Sequence, residues 1–162
     1  MNFRDLYTHM QWADAEIWRA IGDLRDEKLH MLMMHVHAVQ HAFLGMWRGV
    51  EVDGNALYIE RTPQELQAWA REYYAALGGE LPRLEQRLGD VVEMPWLPHF
   101  EKQLGRALTR PTVEETLIQV PAHSAYHRGQ ANLRLREAGG EPPLVDFIAW
   151  VWFGKPEPRW PV

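Results

Sequence analysis

Cysteine is absent from the 162 residues. That absence excludes disulfides, thiolate metal ligands, iron–sulfur clusters and cysteine nucleophiles together. Serine occurs once, as Ser124, so a Ser–His hydrolase would have to be built on that residue. Ser124 lacks a G-x-S-x-G elbow, and on a regular helix it points about 100° away from its neighbour His123. Packing, or a bond back to a helical carbonyl, is its expected role. No apolar run approaches the ~20 residues a membrane helix needs. The opening MNFRDLYTHM has no apolar h-region, so no signal peptide is expected. Basic charge is also lacking. The net charge of −5 argues against a protein built to coat phosphate backbones. No internal repeat and no low-complexity stretch appears. With 46% hydrophobic and 24% charged residues, the chain has the mixture of an ordered globular protein. The expectation is one domain over residues 1–162, soluble and cytoplasmic, with neither nucleic acid nor membrane as partner.

What is present is helical periodicity. Phe3, Leu6, Met10, Ala13 and Ile17 form one stripe, predicting a helix from Phe3 to Ile21 that Gly22 and Asp23 break. A second segment runs from Asp26 to Arg48, with Leu29, Met33, Val36 and Phe43 apolar and Gly49 just past its end. A third begins at Thr62-Pro63-Gln64-Glu65, where Thr is an N-cap, Pro suits the first helical position and Glu65 completes a capping box. Gly78, Gly79 and Pro82 are expected to bend or interrupt it. Asp90 to Arg110 reads as an extended connection with room for a short hairpin. The fourth segment spans Pro111 to Ala138, capped by Thr109 or Thr112, with Pro121 expected to kink or restart it and Gly139-Gly140 ending it. Leu144–Phe153 is either a short fifth helix or a buried strand, and residues 154–162 form an irregular tail. The fold class is all-α: a four-helix bundle with a long irregular crossover between helices three and four.

Eight histidines stand out, five of them in two short runs: His35, His37 and His41, then His123 and His127. His123 and His127 are one turn apart on one helix face, and both rings can reach one ion through Zn–N bonds of about 2.0–2.1 Å. An H-E-x-x-H metalloprotease pattern is excluded because position 124 is Ser. His37 and His41 share a face by the same rule, while His35 points elsewhere. A third imidazole from the second helix makes a three-His site with positions left for water or substrate. Asp14 or Glu16 on the first helix is a candidate for holding an outer ring nitrogen. Most of the eight tryptophans are expected in the core or plugging the bundle end, with one or two lining a pocket mouth.

The string His123-Ser124-Ala125-Tyr126-His127-Arg128-Gly129-Gln130 is followed by Leu133-Arg134, Gly139, Pro142-Pro143, Asp146 and Ile148. It resembles the fourth-helix signature of the DinB/YfiT-like superfamily. Tyr7…Gln11-Trp12-Ala13-Asp14 and the His35…His41 helix resemble that family's first two helices. The likeness is weakest from Glu51 to Arg110. The resemblance implies an antiparallel four-helix bundle, one divalent metal ion held by His41, His123 and His127, and homodimerisation. A one-turn shift in the second helix would select His37 in place of His41.

Relatives of this kind include thiol-cofactor-dependent transferases and isomerases. The resemblance therefore implies a metal-dependent hydrolase or a thiol-dependent S-transferase of the bacillithiol or mycothiol type. Its substrate would be a small molecule, with a low-molecular-weight thiol as a candidate partner. The alternative is a non-catalytic metal-binding or small-molecule-binding bundle of a stress response. Imidazole donors suit first-row divalent ions, with zinc or nickel in the lead and iron or manganese behind them. His9, His30 and His99 are not expected to be ligands.

Overall fold

A computed structural model describes residues 2–161. Among the described residues there are seven helices and no strand: α1 (Phe3–Ile21), α2 (Glu27–Trp47), α3 (Gly54–Leu57), α4 (Pro63–Leu84), α5 (Leu97–Leu104), α6 (Val113–Glu137) and α7 (Phe147–Trp152). The starts of the four long helices are set locally. Asn2, Asp26, Thr62 and Thr112 each accept, through the side chain, the backbone N–H three residues on. At Thr62 and Thr112 the following Glu65 and Glu115 return the bond to the cap's own N–H, at 2.8 and 2.7 Å. Such caps contribute about 1 kcal/mol each. Packing contributes more, since each fully buried Leu or Phe is worth about 1.5–3 kcal/mol.

Helix α2 packs against α6 and α4, and α1 packs against the same two; α3 lies on α2 and α7 on α1. One apolar cluster gathers Met10, Tyr73, Leu117 and Val120, and a second gathers Ile17, Met33, Leu66 and Leu135, all buried. The long helices also meet in a buried polar network. Asp14 of α1 accepts from Arg128 of α6 at 2.8 Å, from Gln40 of α2 at 2.8 Å and from Tyr74 of α4 at 2.5 Å. Trp18 Nε1 donates to His37 Nε2 at 3.0 Å, and His37 Nδ1 lies 2.9 Å from Gln40 Oε1. The ring must therefore carry its proton on Nδ1, because Nε2 is occupied as an acceptor. Burial depresses the His37 pKa, which keeps that ring neutral.

The structure decides between several local alternatives. Helix α4 runs uninterrupted through Gly78, Gly79 and Pro82. The glycines face open space, while Leu77, Leu81 and Leu84 are buried and hold the last turns in place. Helix α6 likewise continues through Pro121. A helical proline deprives the carbonyl four residues back of its amide partner. That carbonyl is Leu117 O, and it accepts instead from the buried Tyr7 hydroxyl at 3.1 Å.

The Asp90–Arg110 connection is not a hairpin. It has a single antiparallel bridge, Val91 to Thr112, and it contains helix α5. Leu144–Phe153 resolves as a helix over Phe147–Trp152, with Trp150 buried and Trp152 71% exposed. Gly139, at φ 87°, ends α6, and the Gly140 amide closes on Leu135 O at 2.9 Å, where a Cβ would collide with the Leu135 side chain. The tail after α7 is irregular but tied down: Lys155 pairs with Asp5 at 2.6 Å, and Trp150 Nε1 donates to Pro156 O at 3.1 Å. No helix of the described residues is long and apolar enough to cross a membrane.

Candidate functional site

His123 and His127 lie one turn apart on α6, as their spacing predicts, with ring centroids 4.4 Å apart. The ring that α2 brings to them is His35. Its Nε2 stands 3.2 Å from His123 Nε2, and its centroid is 4.5 Å from that of His127. One ligand atom from each of His35, His123 and His127 falls within 4.8 Å of the other two, and all three side chains are partly buried. His41 is not among them. Its ring stacks on Trp69 of α4 at 4.1 Å, and its Nε2 donates to Trp69 O at 2.9 Å. Arg61 covers the Trp69 ring at 3.7 Å. His37 is absorbed in the buried network around Asp14. The outer nitrogens of the three rings are not held by Asp14 or Glu16, which bond Arg128 and Arg19 respectively.

The reason lies in the angular step of a helix. At about 100° per residue, His35 is about 200° round the helix from His37. His37 and His41 face α1 and α4, so His35 is left to face α6. The signal that would have found it is the stripe His35, Ala38, Val39 and Ala42, at i, i+3, i+4 and i+7 spacing, which lines one cleft together with His123.

The ring nitrogens are arranged as ligands require. Gln130 Oε1 can only accept, so His127 carries its proton on Nδ1, 2.9 Å away, and keeps the Nε2 lone pair free. Tyr58 OH lies 2.7 Å from His35 Nδ1 and can accept its proton in the same way. Among the described residues His123 Nδ1 is buried without a partner, so Nε2 is the nitrogen that ring brings to the group. Burial first, and then the neighbouring rings, push the His123 pKa down to about 4; burial and His127 also lower that of His35. Both rings are therefore neutral at pH 7, the form that binds a metal. Two facing imidazole nitrogens 3.2 Å apart need a proton or a cation between their lone pairs. Nitrogens bound to one tetrahedral ion at about 2.0–2.1 Å stand about 3.3 Å apart, so the His35–His123 spacing fits a first-row ion. All the donors are neutral imidazoles, which suits zinc, nickel, copper or iron better than calcium or magnesium.

The histidines outside this group carry a prediction of their own. Burial pushes the His41 pKa down to about 4 and lowers those of His37 and His9. Unfolded imidazoles take up protons near pH 6.5 while these folded rings stay neutral, so the unfolded state binds more protons between about 4 and 6.5. Stability is therefore full above pH 6.5 and is lost progressively as pH falls towards 4. Thermal melts of metal-free protein should show Tm dropping across this window, and His41→Gln should flatten the slope. An unchanged slope in that variant would remove His41 as a contributor.

A family model described as "DinB family" matches residues 1–158 of the chain. Protein DinB of Bacillus subtilis (strain 168) is 25% identical over 169 aligned residues, covering 94% of this chain and 95% of that protein. No solved structure matches.

Proposed function

Taking as premise that the chain belongs to the DinB family, we propose that it is a metal-dependent enzyme holding one divalent transition-metal ion through His35, His123 and His127. The observation that carries this reading is the convergence of three imidazole rings from α2 and α6, two of them with outer nitrogens engaged by Tyr58 and Gln130. The ion proposed is zinc or nickel. Three neutral ligands leave its positive charge uncompensated and leave positions for water or substrate. Such an ion acts as a Lewis acid and lowers the pKa of a bound water or thiol, which suits hydrolysis or thiol transfer. The protein's own part is positional: Tyr58 and Gln130 fix the tautomers and ring planes of His35 and His127, and the cleft beside His35 and His123 receives the substrate. We read α1, α2, α4 and α6 as an antiparallel four-helix bundle, with the α4–α6 connection as its crossover.

The test is metal analysis of protein purified without a His-tag and dialysed against trace zinc or nickel. The expected result is one ion per chain. A stoichiometry near zero at micromolar metal and pH 7.5 would remove the metalloenzyme reading and leave the histidines as structural residues.

A further inference from the structure

Beside the three histidines opens a cleft of about 980 Å³, which His35 and His123 help to line. That is the upper end of the range that encloses drug-sized ligands. Its walls come from four parts of the chain: the Val39 and Phe43 face of α2, Val52 and Leu57 around α3, Trp96 and Phe100 of the α4–α6 connection, and Glu115, Gln119 and His123 of α6. The first three present apolar side chains. Two of the polar lining residues, Glu115 and Thr116, are engaged within the protein. The Glu115 carboxylate accepts from the Thr112 N–H and hydroxyl, at 2.7 and 3.1 Å. The Thr116 hydroxyl donates to Val113 O at 2.9 Å and accepts from Trp47 Nε1 at 2.9 Å.

The charge pattern is one-sided. No lysine or arginine is among the lining residues. A ligand carrying several negative charges along its length would have to desolvate them with no counter-charge except at the histidine end, which is costly. An uncharged apolar body has no charge to desolvate on entering and gains with each methylene buried. A dication on three neutral imidazoles, by contrast, favours an anionic donor at that end.

Resting on the metal reading above, we propose that the cleft binds a monoanionic amphiphile. Its single carboxylate or equivalent oxyanion meets the three-histidine end, and its uncharged apolar body lies between α2, α3 and the α4–α6 connection. This separates the ligand from multiply charged metabolites, for which the walls offer no lysine or arginine.

Zinc-loaded chain titrated calorimetrically with octanoate, with octanedioate of the same length and with acetate tests the proposal. Cobalt-substituted protein reports, through its visible spectrum, whether the carboxylate reaches the metal. Octanoate should bind at least tenfold tighter than either comparison ligand and should shift the cobalt bands. Phe100 is 45% exposed, so Phe100→Lys should fold normally. Placing a cation at the far wall, it should shrink the octanoate preference over octanedioate several-fold while keeping one ion per chain. Equal affinity for octanoate and octanedioate, equal affinity for octanoate and acetate, or an unchanged preference in Phe100→Lys would each overturn the ligand class while leaving the metal reading intact. Failure of wild-type protein to take up zinc or cobalt would overturn the metal reading, and this proposal with it.

Discussion

Asp14→Ala should destabilise the protein by about 3–5 kcal/mol, the usual cost of leaving one partner of a buried ion pair uncompensated. Asp14 is fully buried and Arg128 is nearly so, and the carboxylate also accepts from Tyr74 and Gln40. Removing it strands a guanidinium, a phenol and an amide together. For a chain of this length each kcal/mol moves Tm by about 2–4 °C, so the expected drop is roughly 6–20 °C. Arg128→Ala should cost a comparable amount, because it leaves the carboxylate buried without its cation. The double variant Asp14→Ala/Arg128→Ala should lose clearly less than the sum of the two, since neither charge is then orphaned. Denaturant melts of the four proteins in the cycle measure this. Additivity within about 0.5 kcal/mol would mean that the pair does not act as a unit and that the network's value lies elsewhere.

That network also marks where reading the sequence stops. The long helices were legible because their signals are local. Thr62-Pro63-Gln64-Glu65 and Thr112 to Glu115 write their own caps, and the stripe from Phe3 to Ile17 writes its own buried face. His123 and His127 were legible for the same reason, because i, i+4 spacing holds on any regular helix. Helix α5 was not. Pro95 and Pro98 read as breakers, yet Pro98 sits in the first turn of α5, where a missing N–H costs nothing. The continuity of α6 at Pro121 depended on Tyr7, more than a hundred residues away, supplying a hydroxyl to Leu117 O. The position of His35 beside His123 and His127 was hidden for a different reason. Helix α2 buries residues on several faces because it packs against α6 and α4 and also shares the Asp14 network with α1, so no polar face betrays its orientation. Periodicity pairs His37 with His41 and turns His35 away from them, whereas in the fold His37 meets Trp18, His41 meets Trp69, and His35 is the ring that reaches His123.

The sharpest consequence is a ranking of histidine variants by metal content. His35→Ala, His123→Ala and His127→Ala should each lose most of the bound zinc at micromolar metal, because each removes one of the three ligands proposed above. Tyr58→Phe and Gln130→Ala should keep the site but weaken it, by the roughly 10–100-fold typical of groups that orient a ligating ring. His41→Ala should retain one ion per chain while losing thermal stability, since it removes the bond to Trp69 O and the stack on that ring. Metal content and Tm therefore separate the two classes: ligand variants lose metal, and the His41 variant loses stability. Competition with a chromophoric chelator, run beside a thermal melt on each variant, gives both readouts. If His35→Ala retains its zinc and His41→Ala releases it without unfolding, the ligand set implied by the family resemblance stands. The three-ring group on α2 and α6 would then be a neighbour of the metal site and not the site itself.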